Sequence, residues 1–413
     1  MENATIIESI KLFTEVEPEG EKVVGVAVKL AETINEGGID KDTFTIKVKT
    51  FMGDSSQLEW SKRTITKLYV HHSPELTSKP SDVGNYVIIK LDENDSNAGA
   101  LNFDPSSNLN SPAPYQITLE KEFLTEKGNR IKPNGKVYVP SGLITPIVDE
   151  FGKYKISHEG FTINYRLYEP ETEEGEKYPL VIFLHGAGER GNDNELQLRG
   201  NRGALTWAEP DFQRKHPSFV VAPQVKPGGW WTNDSEIKTV ITLIEKLIEN
   251  YPIDENRVYI TGVSMGGFGT WNLLRTRPDL FAAALPICGG LSLTETPDYV
   301  LYAEIIKHIP IWTTHSEDDD VVDIEKTTNK IIHAMEVAGE VVIRGAYAGN
   351  LSRGDNNAAA QKLWKIATQM SSHILFTTYI DGTTPVNAHW SWVPTYENNV
   401  MKEWLFAQVK HDN

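Results

Sequence analysis

The rhythm of hydrophobic and polar positions changes near residue 150. Before it come short runs rich in β-branched and aromatic residues, at 5–13 (TIIESIKLF), 22–31 (KVVGVAVKLA), 43–51 (TFTIKVKTF), 64–72 (TITKLYVHH), 85–93 (NYVIIKLDE) and 115–123 (YQITLEKEF). Several alternate apolar and polar residues, and Gly/Asn/Asp/Ser/Pro-rich stretches such as NEGGIDKD and DPSSNLNSPAP separate them. Short strands at regular spacing, without an amphipathic helix between them, predict an antiparallel β-sandwich of immunoglobulin type. His71 and His72, adjacent on one predicted strand, are expected on opposite faces as surface and edge residues.

Beyond a connection at 136–153 containing two prolines, the pattern differs. YPLVIFLHG (178–186), SFVVAPQ (218–224), RVYITG (257–262), AAALPICGG (282–290) and IPIWTTH (309–315) are apolar at nearly every position. Strands buried on both faces of a mainly parallel sheet read this way. Between them, Ile237, Val240, Ile241, Ile244, Leu247 and Ile248 recur at helical spacing behind an Asn/Asp/Ser cluster. The expectation is an immunoglobulin-like sandwich over 1–150 and an α/β domain over 154–413. The site of the latter is expected at the C-terminal ends of its strands.

Bulk properties narrow the chemistry. The 413 residues carry a formal charge of −17 and no basic stripe, which opposes nucleic-acid binding. No apolar run approaches the length of a membrane span. One cysteine, Cys288, allows no internal disulfide and is expected to be a buried, inert thiol. C-x-x-C, H-E-x-x-H and Walker-type spacings are missing, so no metal or nucleotide cofactor is expected. The first residues are acidic and lack a signal peptide's pattern, which leaves compartment open; a mature secreted chain is slightly favoured over a cytoplasmic one.

One stretch stands out chemically: YITGVSMGGFGTW, 259–271. Gly262-Val263-Ser264-Met265-Gly266 is G-x-S-x-G between a predicted strand and a predicted helix, the setting of an exposed nucleophilic serine. A side chain at the glycines would collide with the neighbouring strand or helix. The hydroxyl needs a base. Of the histidines downstream, His308 and His315 flank a strand and come early, His333 lies in a predicted helix, and His411 lies in the tail. His389, on the loop after ILFTTYI, is preferred to His373, which precedes that strand. The acid should follow IPIWTTH, where Glu317, Asp318, Asp319, Asp320 and Asp323 all qualify. The backbone amides of Met265 and Ala187 are the expected oxyanion donors. Glu189 and Arg190 read as a structural ion pair with loop neighbours rather than as acid–base machinery.

FLHGAGERG, GVSMGGFGTW, IPIWTTHSEDDDVV and AHWSWVPTYENNVMKEWL resemble the bacterial α/β-hydrolase esterases of the peptidase-like and phospholipase/carboxylesterase type. These are relatives of polyhydroxybutyrate depolymerases and dienelactone hydrolases. A preceding sandwich resembles the thermophile esterases with an N-terminal immunoglobulin-like domain, in which that domain is associated with multimerisation. The resemblance implies a homo-oligomer formed through this domain. The acid loop H-G-x-x-D-x-x-V-P, laid on His315, implies Asp319 as the acid. Ser316 stands in place of its glycine and Asp323 in place of its proline, and Trp390 follows the histidine where Asp or Asn is usual.

Trp231, Trp390 and His185 are candidate pocket residues. The 70 positions from Asp319 to His389 exceed one helix and one strand, and 345–370 is expected either over or beside the site or as a peripheral addition away from it. The combined expectation is a serine carboxylesterase acting on short- to medium-chain acyl esters, small or polymer-borne. Alternatives are an esterase directed to polysaccharide esters or polyesters, a serine peptidase and, more remotely, a non-catalytic scaffold.

Overall fold

The computed structural model describes residues 6–51, 57–292 and 297–410, in two compact units, Met1–Asp149 and Glu150–Asn413. In the first unit, Ile7–Glu17 and Gly20–Asn35 form a long antiparallel pair at the centre of a five-stranded sheet. Phe44–Phe51, Leu58–Lys62, Tyr115–Leu119 and Val137–Tyr138 form a four-stranded sheet. Alternation does what period-two patterning dictates: Phe44, Ile46 and Val48 are buried with Val26, Val28, Val87, Ile89 and Ile117, while Lys47 faces solvent.

A buried guanidinium is tolerated in this unit because its hydrogen-bonding needs are met. Arg63 donates to the Tyr115 hydroxyl (2.8 Å), the carbonyls of Val23 (3.1 Å) and Asp92 (2.8 Å), and the Asp95 carboxylate (3.0 Å). Two expectations change. His71 and His72 do not point to opposite faces: the strand Ile65–His71 ends at the first of them, and the rings stack 4.2 Å apart, His71 buried and His72 exposed. The predicted connection also contributes strands, Val137–Tyr138 and Gly142–Ile144; the latter pairs in parallel with Lys11–Phe13.

The second unit is a nine-stranded sheet with helices on it. Its strands are β1 (Gly152–His158), β2 (Phe161–Tyr168), β3 (Tyr178–Leu184), β4 (Phe219–Gln224), β5 (Ile253–Val263), β6 (Ala283–Ile287), β7 (Ile311–Ser316), β8 (Val342–Tyr347) and β9 (Ile374–Tyr379). They lie in the order β1-β2-β4-β3-β5-β6-β7-β9-β8. The hairpin β1–β2 is antiparallel and joins β4 antiparallel; β4 through β8 pair in parallel. The longer helices are α1 (Asp234–Asn250), α2 (Met265–Thr276), α3 (Tyr299–Ile306), α4 (Thr328–Val337), α5 (Arg353–Gln369) and α6 (Asn399–Phe406). β3, β4 and the C-terminal half of β5 are buried at nearly every residue, as double-sided cover requires.

The stretch 345–370 is part of this framework. It supplies the end of edge strand β8 and all of α5, the crossover that returns the chain to β9. Leu363 packs on Gly345, and Asn356 donates to the Pro394 carbonyl (2.8 Å) while its own carbonyl accepts from Asn398 (3.0 Å). The extra length is a strand and its helix at the sheet edge. No helix among the described residues is long and apolar enough to cross a membrane.

Lys402 on α6 is an exception to the rule that lysines stay wet. It is buried, donates to the Thr206 hydroxyl (2.8 Å) and lies over the Phe212 ring. Burial pushes its pKa down to about 8. The unfolded chain therefore binds more protons between about pH 8 and 10.5, so stability rises with pH across that window and the full penalty applies below it. Lys402→Met is expected to raise unfolding free energy by about 1–3 kcal/mol at pH 7. Urea unfolding at several pH values should also show that the variant lacks the wild-type rise between about pH 8 and 10.

Candidate active site

The apolar strand β5 ends at Val263, and the chain turns at Ser264 directly into α2. Ser264 adopts φ 53°, ψ −117°, a strained conformation for a residue with a side chain. The flanking glycines are sterically required. A Cβ on Gly262 would lie 2.4 Å from the Gly266 carbonyl oxygen, one on Gly266 1.9 Å from the Leu184 oxygen, and one on Gly267 2.4 Å from the Ile287 oxygen. The strand end, the first turn of α2 and the ends of β3 and β6 are thus in backbone contact.

His389, on the loop after β9, brings Nε2 to 2.9 Å from the Ser264 hydroxyl and Nδ1 to 2.8 Å from Asp319 Oδ2. With Nδ1–H donating to the carboxylate, Nε2 is left to accept the serine proton. Asp319 is held on all sides. Its Oδ1 accepts from the amides of Val321 (2.9 Å) and Val322 (2.8 Å), and its Oδ2 also accepts from His315 Nε2 (3.1 Å). Burial by itself would raise this carboxyl, but the bonds from His315, His389 and Val322 outweigh it and hold it far below the usual range.

The loop's other carboxylates are engaged elsewhere. Glu317 accepts from Thr378 (2.9 Å), Asp318 from the Gly382 amide (2.9 Å) and Asp323 from the amides of Glu325 (2.9 Å) and Lys326 (3.2 Å); Asp320 is exposed. The two departures from the family's acid loop have local partners: Ser316 bonds Thr384 on the His389 loop (2.7 Å), and Asp323 holds the turn before α4.

His315 was passed over in the sequence as too early for a base. It is fully buried, anchored on the Thr328 hydroxyl (2.8 Å) and the Val322 carbonyl (2.8 Å), and supports the acid. Its signal was its place four residues before Asp319. His308 and His333 are exposed, His373 binds the Lys307 carbonyl (2.6 Å), and His411 lies outside the described residues.

Two of the three expected pocket residues sit beneath the site. Trp231 is fully buried, donates to the His185 carbonyl (2.9 Å), and abuts Gly269 of α2. The His185 ring, also fully buried, donates from Nδ1 to the Gly186 carbonyl (2.6 Å) and accepts the Val225 amide at Nε2 (3.0 Å). Burial lowers its pKa to about 4, in keeping with a neutral ring. Both brace the loop after β3; neither offers a face to a substrate. Trp390 is half-buried and stacks on Trp392, which stands edge-on to His389. The amides of Met265 and Ala187 make no hydrogen bond within the protein among the described residues. Cys288, Asp319 and His389 place ligand-type atoms within 4.8 Å of one another, but Asp319 and His389 are spent on each other. Burial, and then the charge of Asp319, also push the thiol's pKa up.

Glu189 is not the half of an ion pair that its sequence suggested. Arg190 donates to the Ala187 carbonyl (2.9 Å), whereas Glu189 folds beneath the loop with Oε2 buried and unpartnered among the described residues. Burial pushes its carboxyl up to about 7. A folded pKa above the unfolded value means stability that is complete below about pH 4.5 and is lost as pH rises through 7. Glu189→Gln should remove a loss on the order of 3 kcal/mol between those limits, readable as a flatter pH profile of thermal unfolding.

Over residues 9–132 the chain matches the family model of the esterase Ig-like N-terminal domain, and over 231–304 that of the prolyl oligopeptidase family. The poly(3-hydroxyalkanoate) depolymerase C of Paucimonas lemoignei is 32% identical over 115 residues, 27% of this chain and 28% of that protein. A bifunctional acetylxylan esterase/xylanase of Neocallimastix patriciarum is 27% identical over 152 residues, 36% of this chain and 20% of that protein. The chain spans less than half the length of the curated relatives it matches. A thermostable esterase of known crystal structure is 36% identical with a TM-score of 0.76, the match covering 98% of this chain and 100% of the other. With that similarity running the whole length of both chains, this protein belongs to the family of α/β-hydrolase esterases that carry an N-terminal immunoglobulin-like domain.

Proposed function

We propose that the chain hydrolyses carboxylic esters through an acyl-enzyme on Ser264, with short- to medium-chain acyl groups as substrates. The observation that carries this reading is the continuous chain Ser264–His389–Asp319, with links of 2.9 and 2.8 Å between residues from three separate loops. Ser264 Oγ attacks the ester carbonyl as His389 Nε2 takes its proton, and Asp319 orients and stabilises the imidazolium. The amides of Met265 and Ala187 receive the oxyanion. His389 then returns the proton to the departing alcohol oxygen as the acyl C–O bond breaks. Water, activated by the same ring, attacks the acyl-serine and releases the acid. Trp390, and the exposed apolar Val321 and Val386 on the acid and histidine loops, support an apolar acyl surround. The prolyl oligopeptidase match spans Ser264 but ends before Asp319 and His389, and is consistent with the peptidase alternative.

Self-association through the first unit belongs to the same reading, supported by the exposed Leu124, Val137 and Val139. Sedimentation of the full chain is expected to give a multimer that Val137→Lys with Val139→Lys shifts toward monomer.

The test of catalysis is a p-nitrophenyl ester series from acetate to palmitate. Wild type should peak at a short or medium chain length, and Ser264→Ala should abolish turnover. Asp319→Asn is expected to lower kcat by about 10³–10⁴-fold. His315→Gln, which removes one hydrogen bond to the acid, should cost roughly 10–100-fold. A folded wild type inactive on every ester, or a Ser264→Ala variant that stays active, would reject the reading.

A further inference from the structure

A cavity of about 620 Å³ lies against the nucleophile helix, a volume in the range of small-ligand sites. Phe268, Asn272 and Arg275 line it from α2. They follow Ser264 by 4, 8 and 11 residues, which puts them on one helix face at about 6, 12 and 16 Å along the axis. Asp298, the N-cap of α3, lines it as well. Trp230 completes the wall and is tied to the oxyanion loop: the Arg190 guanidinium lies 5.8 Å from its ring, and Arg190 holds the Ala187 carbonyl.

The polar groups on this wall divide into spent and unspent. Asn272 gives its amide to the carbonyls of Phe268 (2.9 Å) and Leu291 (3.1 Å). Among the described residues, however, the exposed Arg275 guanidinium and the half-buried Thr232 hydroxyl make no hydrogen bond or ion pair with the protein. Among the described residues, the exposed Asp298 uses Oδ1 on the Leu301 amide (3.0 Å) and leaves Oδ2 open, and the exposed Asn233 donates to Glu236 (3.1 Å) and leaves its side-chain Oδ1 open.

The cavity thus offers a strong donor, two acceptors and a hydroxyl beside aromatic surface. An anion bound at Arg275 would share the cavity with Asp298 and meet a chain of net charge −17; a cation at Asp298 would share it with Arg275. A neutral ring bearing vicinal hydroxyls meets donor and acceptors together, while its apolar face covers an indole. We propose that this cavity is a saccharide subsite, and that the alcohol component of the substrate is a carbohydrate; the proposal rests on the ester-hydrolysis reading above. The sugar oxygen would be the leaving group, taking its proton from His389 as the acyl C–O bond breaks, so that ester and water yield acid and free sugar.

The test uses the full chain. Xylotriose titrated calorimetrically into Ser264→Ala should bind, and Arg275→Gln in that background should weaken binding roughly tenfold. The ratio of kcat/KM for acetylated xylotriose to that for p-nitrophenyl acetate should fall about tenfold in Trp230→Ala and in Arg275→Gln, a readout that a merely structural role would leave constant. A wild type that cleaves p-nitrophenyl acetate, but binds no xylotriose and keeps its ratio in both variants, overturns the subsite alone. A wild type inactive on p-nitrophenyl acetate and on acetylated xylotriose overturns the ester reading and this proposal with it.

Discussion

At Gly266 the first turn of α2 lies so near the Leu184 carbonyl that no side chain fits. This contact fixes two things to each other. The first turn of α2 carries Ser264 and the Met265 amide; the end of β3 leads into the loop with the Ala187 amide. A strained serine persists only where its surroundings over-determine it. Here the glycine contacts, the Ser264 amide on the Ile287 carbonyl (3.1 Å) and the packing of Trp231 against Gly269 do so. His185 and Trp231 are part of this clamp, since their rings and polar atoms lock the β3 loop from below.

Electrostatics is arranged around the same point. Asp319 stays charged in a buried place because two imidazoles and two amides share its oxygens. Ser316 joins the acid loop to the histidine loop through Thr384, coupling the positions of two groups that arrive on separate strands. Nearby, Glu189 lacks such compensation, and burial makes it a weaker acid. One buried carboxyl is ionised and oriented; the other is held toward neutrality a few residues from the oxyanion loop's first amide. The difference lies in the number of donors each meets.

The helix that begins with the nucleophile also runs along a cavity whose open polar groups do not match a charged ligand. Ser264 and the cavity wall lie on a single helix, so their separation is set by helical rise.

The sequence by itself determined the periodicities that separate a sandwich from a parallel sheet, and the G-x-S-x-G corner. Both depend on local rules, residue spacing and steric size at a turn, which a linear string records. By chain order it also singled out His389 as the candidate base. Choosing among five adjacent carboxylates was beyond residue chemistry alone; resemblance pointed to Asp319, and the fold shows the other four turned to amides, a threonine or solvent. What His315, Trp231 and His185 hold in place was not legible for one reason: a buried side chain's work depends on which distant backbone groups it meets. Between a covering piece and a peripheral addition, residues 345–370 were likewise undecided until strand pairing placed them at the sheet edge. Those assignments depend on contacts between segments far apart in the chain, which only the tertiary structure brings within hydrogen-bonding distance.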